Sequence, residues 1–331
     1  MHIKPGSIEA DLASTREFCA DLETSLHSVN SLSDINSSVQ KASLKLKDHP
    51  FLAKIRDKAM VSLGDPEVGI VAIDIPSGLN DDRNRDALLG SMVATAIVSS
   101  ISLTVPDHRN ETPFTLYNAS VENEEQLKAA GVRYYSPEDR LGFHTDGLVR
   151  DGEVLVPNFI SIYNLLIAYR NPGNFYFLPF ALWDEYEIFS KKLGIGREYR
   201  FSMTPIVYAD RDGKIEAAAG RFLNSPIFFR TECNSSLMFF NGEVDEDDPE
   251  LCKAINLMKS SMLDNTRRIS IPIQNRRLFV MANKKGLHAR VVFADPIPNV
   301  KFTRSFLRYV SADGECVSKI SGDEPRPQEL S

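Results

Sequence analysis

The chain has 331 residues and a formal net charge of −7, with 43% hydrophobic and 25% charged residues. This composition is typical of a soluble protein with a sizeable core, and it offers no basic surface for nucleic acid or for an anionic membrane. A small-molecule partner is therefore expected. Four cysteines, Cys19, Cys233, Cys252 and Cys316, lie far apart without CxxC spacing, which indicates reduced thiols in a cytoplasmic protein.

The N-terminal part is predicted to be helical. Apolar residues recur at helical spacing from Ile8, a Ser/Asn-rich break follows, and a second helix is expected from Leu44 to Val61. No charged leader precedes a short apolar run, so no signal peptide is predicted. The β-branched run from Gly69 to Gly78 predicts a buried strand that ends in a turn.

The stretch from Ala87 to Val105 contains nineteen residues without a charge, which approaches the length of a membrane span. Its many serines and threonines and the absence of a basic flank argue against that reading. We expect a core helix that continues into a strand.

After Pro106 the chain consists of short apolar runs separated by turn residues, which favours a sandwich or barrel over a βαβ array. The predicted strands are Phe114–Asn118, Arg133–Tyr135, Leu141–Asp146, Val154–Ile162, Phe175–Leu178, Arg200–Tyr208, Phe222–Phe229, Arg268–Ile273, Leu278–Met281, His288–Phe293 and Phe302–Val310. A helix is expected at Pro249–Met262. The fold class is thus mainly β with flanking helices (α+β), in one domain over residues 1–320 whose helical part is 1–62, followed by a disordered tail at 321–331.

The segment Leu141-Gly-Phe-His-Thr-Asp-Gly147 sets an imidazole and a carboxylate two residues apart. Residues i and i+2 of a strand point to one face, so His144 and Asp146 should converge. Most isolated His-X-Asp triplets are solvated pairs or structural hydrogen bonds, and a metal site needs a third ligand. His288 is the best candidate, because it opens a predicted strand while the other histidines lie in the terminal, helical or loop segments. Two imidazoles and one carboxylate suit non-haem Fe(II).

The strand that follows carries two arginines, Arg304 and Arg308, on the same face as Phe306. If that face is buried, each guanidinium needs an anion, and its fork geometry matches a carboxylate. The alternative is that both arginines face solvent. Their position after the three candidate ligands favours the buried arrangement.

Four segments together resemble the Fe(II)/2-oxoglutarate-dependent dioxygenases of the clavaminate synthase-like (taurine dioxygenase-like) family, over about residues 65 to 310. They are Gly69-Ile-Val-Ala-Ile-Asp-Ile-Pro76, Leu141-Gly-Phe-His-Thr-Asp146, Asn283-Lys-Lys-Gly-Leu-His-Ala-Arg290 and Arg304-Ser-Phe-Leu-Arg308. The resemblance implies a double-stranded β-helix (jelly-roll, cupin-like) core that uses Fe(II), 2-oxoglutarate and O₂.

Position by position, the resemblance implies that His144, Asp146 and His288 hold iron, and that Arg304 pairs with the C5 carboxylate of 2-oxoglutarate. It makes Arg308 a contact for a substrate carboxylate. Where the family has a threonine that contacts 2-oxoglutarate, this chain offers Asn174.

Relatives with this layout often hydroxylate free L-amino acids, and we expect hydroxylation of a free amino acid, with lysine or another basic one as the best candidate, in specialised metabolism. Four further residues are candidates for the substrate pocket, namely Tyr117, Asn118, Glu232 and Asp245. The alternative for each of the four is an ordinary surface or structural residue. Desaturation or cyclisation of another small or carrier-bound metabolite, and a non-catalytic jelly-roll binding module, remain alternatives. The oligomeric state stays open, with a homodimer among the options.

Overall fold

The computed structural model describes residues 6–26, 29–107, 111–120, 137, 140–150, 153–203, 207–209, 215–217, 221–231 and 234–319. The helices are α1 (Leu12–Thr24), α2 (Ser37–Lys45), α3 (Pro50–Gly64), α4 (Arg83–Ile101), α5 (Tyr186–Leu193) and α6 (Pro249–Asp264). The strands are β1 (Gly6–Glu9), β2 (Ile70–Asp74), β3 (Thr115–Ala119), β4 (Leu141–His144), β5 (Leu148–Arg150), β6 (Glu153–Pro157), β7 (Phe159–Ile167), β8 (Tyr169–Asn171), β9 (Asn174–Pro179), β10 (Glu198–Met203), β11 (Val207–Ala209), β12 (Ile215–Ala217), β13 (Arg221–Pro226), β14 (Phe228–Arg230), β15 (Ser236–Met238), β16 (Glu243–Asp245), β17 (Ile269–Pro272), β18 (Arg277–Ala282), β19 (Gly286–Arg290), β20 (Ala294–Pro296), β21 (Arg304–Val310) and β22 (Gly314–Lys319).

The N-terminal part differs from its prediction in two places. Ile8 lies in β1, which pairs in parallel with β2, so the expected helix begins only at Leu12. The helix expected from Leu44 to Val61 is present as α3 but starts later, because α2 ends at Lys45 and α3 begins at Pro50. Proline lacks an amide hydrogen and fixes its own φ, which suits the first turn of a new helix and not the interior of an old one.

The uncharged stretch forms most of α4, which begins after the N-cap Asp82. Its residues from Leu88 to Ser99 are buried, because the helix lies between the other N-terminal helices and a sheet. The expected continuation into a strand is wrong, since only Thr104 forms an isolated bridge there. Among the described residues, no helix combines the length and the apolar composition that crossing a membrane requires.

Two sheets face each other across the centre of the molecule. One has six strands in the order β1-β2-β18-β7-β21-β3, and the other has four in the order β17-β9-β19-β4. A buried cluster combines Ala72, Phe279 and Phe306 of the first sheet with Phe175 and Ile271 of the second. The outer face of the six-stranded sheet packs on the helices instead. The chain is therefore a mixed α+β protein whose main sheets form a sandwich, as the strand pattern predicts.

Two predicted strands are interrupted, Val154–Ile162 at Asn158 and Phe222–Phe229 at Ile227. The predicted strand Arg200–Tyr208 overlaps β10 and β11, and its residues 204–206 lie outside the described part of the chain. The helix expected at Pro249–Met262 is confirmed as α6, whose first amides are capped by Asp248. The strand expected at Arg133–Tyr135 and the tail at 321–331 lie outside the described residues.

Candidate iron centre

His144 is the last residue of β4, and Asp146 follows two residues later in the adjoining segment. The prediction that one strand carries both is therefore wrong, although the two side chains do converge. Thr145 between them is buried, and both its amide and its hydroxyl bond to the backbone of Phe240, at 3.0 and 2.9 Å. Its side chain is thus held away from its neighbours on either side.

His288 lies on β19 directly opposite His144 on β4, and the centroids of the two rings are 4.1 Å apart. Nε2 of His288 lies 3.7 Å from Oδ2 of Asp146. One potential ligand atom from each of the three residues falls within 4.8 Å of the others. The predicted convergence of His144, Asp146 and His288 is therefore present in the folded chain.

The local hydrogen bonds leave the right atoms for a metal. Nδ1 of His144 lies 2.8 Å from the carbonyl oxygen of Gly142, and a proton on Nδ1 leaves the Nε2 lone pair available. Nδ1 of His288 is buried without a hydrogen-bond partner among the described residues. Its ring stacks instead on Phe175, with centroids 5.7 Å apart at 18°. Packing therefore orients the second imidazole.

The electrostatics favour the ligand forms of both groups. Burial, together with the nearby His144, lowers the pKa of His288 to about 3, so the imidazole is neutral. Burial opposes ionisation of Asp146, but the positive charge of Arg308 chiefly outweighs it, and the pKa of Asp146 is lowered to about 2. Two imidazoles and one carboxylate fit a divalent iron and leave positions for further ligands.

Arg308 pairs with the candidate ligand Asp146. Its Nη2 lies 3.0 Å from Oδ1 of Asp146, and Tyr117 is hydrogen-bonded to the same guanidinium. The Tyr117 ring stacks on Phe306 with centroids 4.8 Å apart and an interplanar angle of 6°. Tyr117 and Arg308 thus lie beside the candidate metal ligand Asp146.

Arg304 is only 5% exposed, so the alternative that it faces solvent is wrong. Its guanidinium carbon lies 4.1 Å from the ring centroid of Phe306 and 5.2 Å from that of Phe293. Burial and the nearby Arg290 lower its pKa, and Nε has no hydrogen-bond partner among the described residues. A carboxylate bound here would neutralise the buried guanidinium and accept a hydrogen bond from Nε.

Asn174 is not brought to this anion site. It begins β9, and strand alternation turns it to the face opposite Phe175, whose ring stacks on His288. Tyr169, by contrast, acts electrostatically on Arg304 and packs edge-on against Phe293 at 5.2 Å. Tyr169 is thus a polar side chain that influences Arg304, a role that was not predicted from the sequence.

The other substrate candidates are spread widely. Asn118 pairs with Ser305, on the face of the sheet opposite Tyr117. Asp245 lies in β16 of a separate three-stranded sheet, about half exposed and 3.8 Å from Arg200. Glu232 lies outside the described residues. Burial raises the pKa of Tyr117, and the charge of Asp107, which had no predicted role, adds a smaller contribution in the same direction.

Asn283 also escaped prediction. It is 1% exposed, and its side chain bonds to both backbone groups of Asp146. The available signal was a lone amide at the end of the apolar run Leu278–Ala282, just before a Lys-Lys-Gly turn.

No protein-family model and no curated protein matches this sequence. Solved structures do. A crystal structure of asparagine oxygenase is 13% identical and covers 92% of each chain with a TM-score of 0.62, and its complex with Fe(II), (2S,3S)-3-hydroxyasparagine and succinate gives 0.58. The non-haem iron oxygenase OrfP with Fe, succinate and (3S)-hydroxy-L-Arg is 11% identical over 93% of each chain, with a TM-score of 0.56.

The chain therefore shares its fold with these two oxygenase structures, which confirms the predicted resemblance at the level of the fold. Asparagine oxygenase and OrfP are the structures that this chain resembles in architecture. In this chain the His144–Asp146–His288 cluster lies between the two main sheets.

Proposed function

We propose that this protein is an Fe(II)/2-oxoglutarate-dependent oxygenase that hydroxylates a free amino acid and releases succinate and CO₂. The observation that carries the proposal is the cluster of His144, Asp146 and His288 combined with the buried Arg304 on the facing sheet. A metal site alone would fit many chemistries. A buried cation between aromatic rings, in the same interior, adds a place for the far end of a dicarboxylate.

The bound iron, with 2-oxoglutarate and O₂, would supply the oxidising chemistry. The chain's own task is to bind and orient. His144, Asp146 and His288 would hold the metal, Arg304 would pair with the C5 carboxylate of 2-oxoglutarate, and Phe306 and Phe293 would keep water from that ion pair. The two facing sheets are interpreted as the double-stranded β-helix of one domain over residues 1–320.

Arg308 is the proposed contact for the carboxylate of the amino acid. Because it lies 3.0 Å from Asp146, a carboxylate bound there would place only the first carbons of the substrate near the metal. The ligands in the asparagine oxygenase and OrfP structures carry a hydroxyl at carbon 3. Carbon 3 is therefore the proposed site of hydroxylation, and lysine or another basic amino acid is the proposed substrate.

The first test is anaerobic addition of Fe(II) and 2-oxoglutarate to the metal-free protein. A weak visible charge-transfer band is expected, and His144→Ala should abolish it. Absence of both the band and bound iron in the wild-type protein would refute the oxygenase proposal and leave the binding-module alternative.

The substrate is tested by succinate formation across a panel of free amino acids that includes lysine, arginine and asparagine. Product analysis then separates hydroxylation from desaturation or cyclisation. Turnover of none of them, by a protein that does form the band, would refute the amino-acid part of the proposal alone.

The compartment and the oligomeric state are proposals that do not depend on the reaction. For the compartment, three described cysteines are free thiols, which supports a reducing, cytoplasmic setting.

A further inference from the structure

Asn283 makes an unusual set of contacts for a side chain outside the metal cluster. It follows the last residue of β18 and is 1% exposed. Its Oδ1 accepts the amide hydrogen of Asp146 at 3.0 Å, while its Nδ2 donates to the carbonyl of Asp146 at 3.0 Å and to that of Pro157 at 3.2 Å. Both hydrogens of the amide group and one acceptor position are thus in use.

This pattern replaces a missing strand pairing. Strand β4 ends at His144, so the backbone of Asp146 is beyond the ladder that β4 forms with β19. The side-chain amide of Asn283 bonds to the N–H and to the C=O of Asp146, as a neighbouring strand would. The backbone of Asp146 is therefore held by one residue that lies 137 positions further along the chain.

Fixing that backbone fixes the carboxylate. Arg308 holds Oδ1 of Asp146 at 3.0 Å, and Oδ2 is turned toward Nε2 of His288 at 3.7 Å. Among the described residues, the hydrogen bonds of the Asn283 side chain go to Asp146 and Pro157 and not to an imidazole of the cluster. Its effect on the site must act through Asp146.

We propose that Asn283 is a positioning residue that holds Asp146 in its ligand conformation before the metal binds. The proposal rests on the proposed function only in that the cluster binds a divalent metal. Without Asn283 the segment after β4 would have to be ordered during metal binding, and residues that orient metal ligands typically contribute about 10- to 100-fold in affinity.

The test compares Asn283→Ala with Asn164→Ala in the full chain. Asn164 is a matched control because it is also 1% exposed and lies on β7 of the central sheet, while its amide donates to the carbonyl of Arg277 and not to the cluster. Metal-free protein is titrated with Mn(II), and the free ion is followed by electron paramagnetic resonance. Asn283→Ala should weaken Mn(II) binding by about 10- to 100-fold, and Asn164→Ala should leave it unchanged.

Thermal unfolding of the metal-free variants separates positioning from general stability. Positioning predicts loss of affinity only in Asn283→Ala, even where both variants lose similar stability. Unchanged Mn(II) affinity in Asn283→Ala, or equal losses in both variants, would overturn the proposal. If Asn283→Ala does not fold, Asn283→Gln, whose amide is displaced by one methylene, takes its place with the same expected loss. A wild-type protein that binds no Mn(II) and no Fe(II) would refute the proposed function itself.

Discussion

The guanidinium of Arg308 and the carboxylate of Asp146 form a largely buried ion pair, with 3.0 Å between Nη2 and Oδ1. The side chains are 22% and 14% exposed. A carboxylate in such a place needs a positive partner, and in the metal-free protein Arg308 supplies it. A bound dication would supply a second one on the other oxygen.

Replacing Arg308 with methionine should therefore destabilise the metal-free protein, by about 3 kcal/mol or less since the pair is not fully buried. Metal should restore part of this loss, because it again neutralises Asp146. The expected outcome is a larger rise in Tm on adding Fe(II) anaerobically to Arg308→Met than to the wild type. Arg200→Met removes an exposed ion pair with Asp245 and serves as the control, with little effect in either state. Equal rises in Tm for all three proteins would contradict this account.

The pKa of His288 predicts how stability depends on pH. The folded protein holds the pKa at about 3, against an ordinary value of 6.5. Below pH 6.5 the unfolded chain binds a proton at His288 that the folded chain does not bind. The free energy of unfolding therefore falls as the pH falls from 6.5 toward 3, by up to about 1.4 kcal/mol per pH unit. Asp146 adds to this loss below pH 3.8, its ordinary value, as its own pKa of about 2 is approached.

This dependence can be measured by urea unfolding of the metal-free protein at a series of pH values below 7.5. His288→Gln should flatten the curve between pH 6.5 and 4. If the variant kept the full wild-type slope, the acid sensitivity would have to come from other groups.

Arg304→Gln should raise the KM for 2-oxoglutarate. A charge-assisted hydrogen bond in a buried site contributes about 1.5–3 kcal/mol, which corresponds to roughly 10- to 150-fold in KM. Iron affinity should stay the same, because the Arg304 guanidinium packs on Phe306 and Phe293 and is not one of the three candidate ligands. Arg267→Gln, at an exposed arginine paired with Asp184, is the control. An unchanged KM for 2-oxoglutarate would refute the role given to Arg304.

Two glycines near the iron centre should respond differently to alanine. A Cβ on Gly147 would lie 2.8 Å from the ring of Phe239, whereas one on Gly142 would meet nothing within 4 Å. Gly147→Ala should cost about 1–3 kcal/mol through overpacking, while Gly142→Ala should be close to neutral. The midpoints of urea unfolding measure both. Similar midpoints for the two variants would show that the Phe239 ring moves aside at no cost.

Much of the candidate site could be read from the sequence, because scarce residue types carry it. The chain has six histidines, and only His108, His144 and His288 follow the N-terminal helical part. His108 was expected in a loop, which left His288 as the partner of His144. Alternation along β21 then put Arg304 and Arg308 on one face, and their position after the three candidate ligands favoured burial of that face. Local periodicity and residue chemistry were sufficient for these predictions.

The remaining contacts depend on pairings between distant segments. Ile8 looks helical by its spacing, but four residues around it pair with β2 more than sixty positions later. Asn174 was misplaced because a shift of one residue decides which side of a strand is inside, and a sequence alone does not fix that parity. The lone amide of Asn283 after an apolar run was visible in the sequence, but its bonding partner, the backbone of Asp146, was not.

Gly286, two residues before His288, has no space for a side chain. A Cβ there would lie 2.5 Å from the carbonyl oxygen of Leu178 and 2.7 Å from the ring of Phe177. Any side chain would push β19 off β9 and carry the imidazole with it. Glycine is therefore expected to be retained at this position during evolution. The pattern Gly-X-His, with an arginine sixteen residues after the histidine, offers a signature for finding relatives of low overall sequence identity.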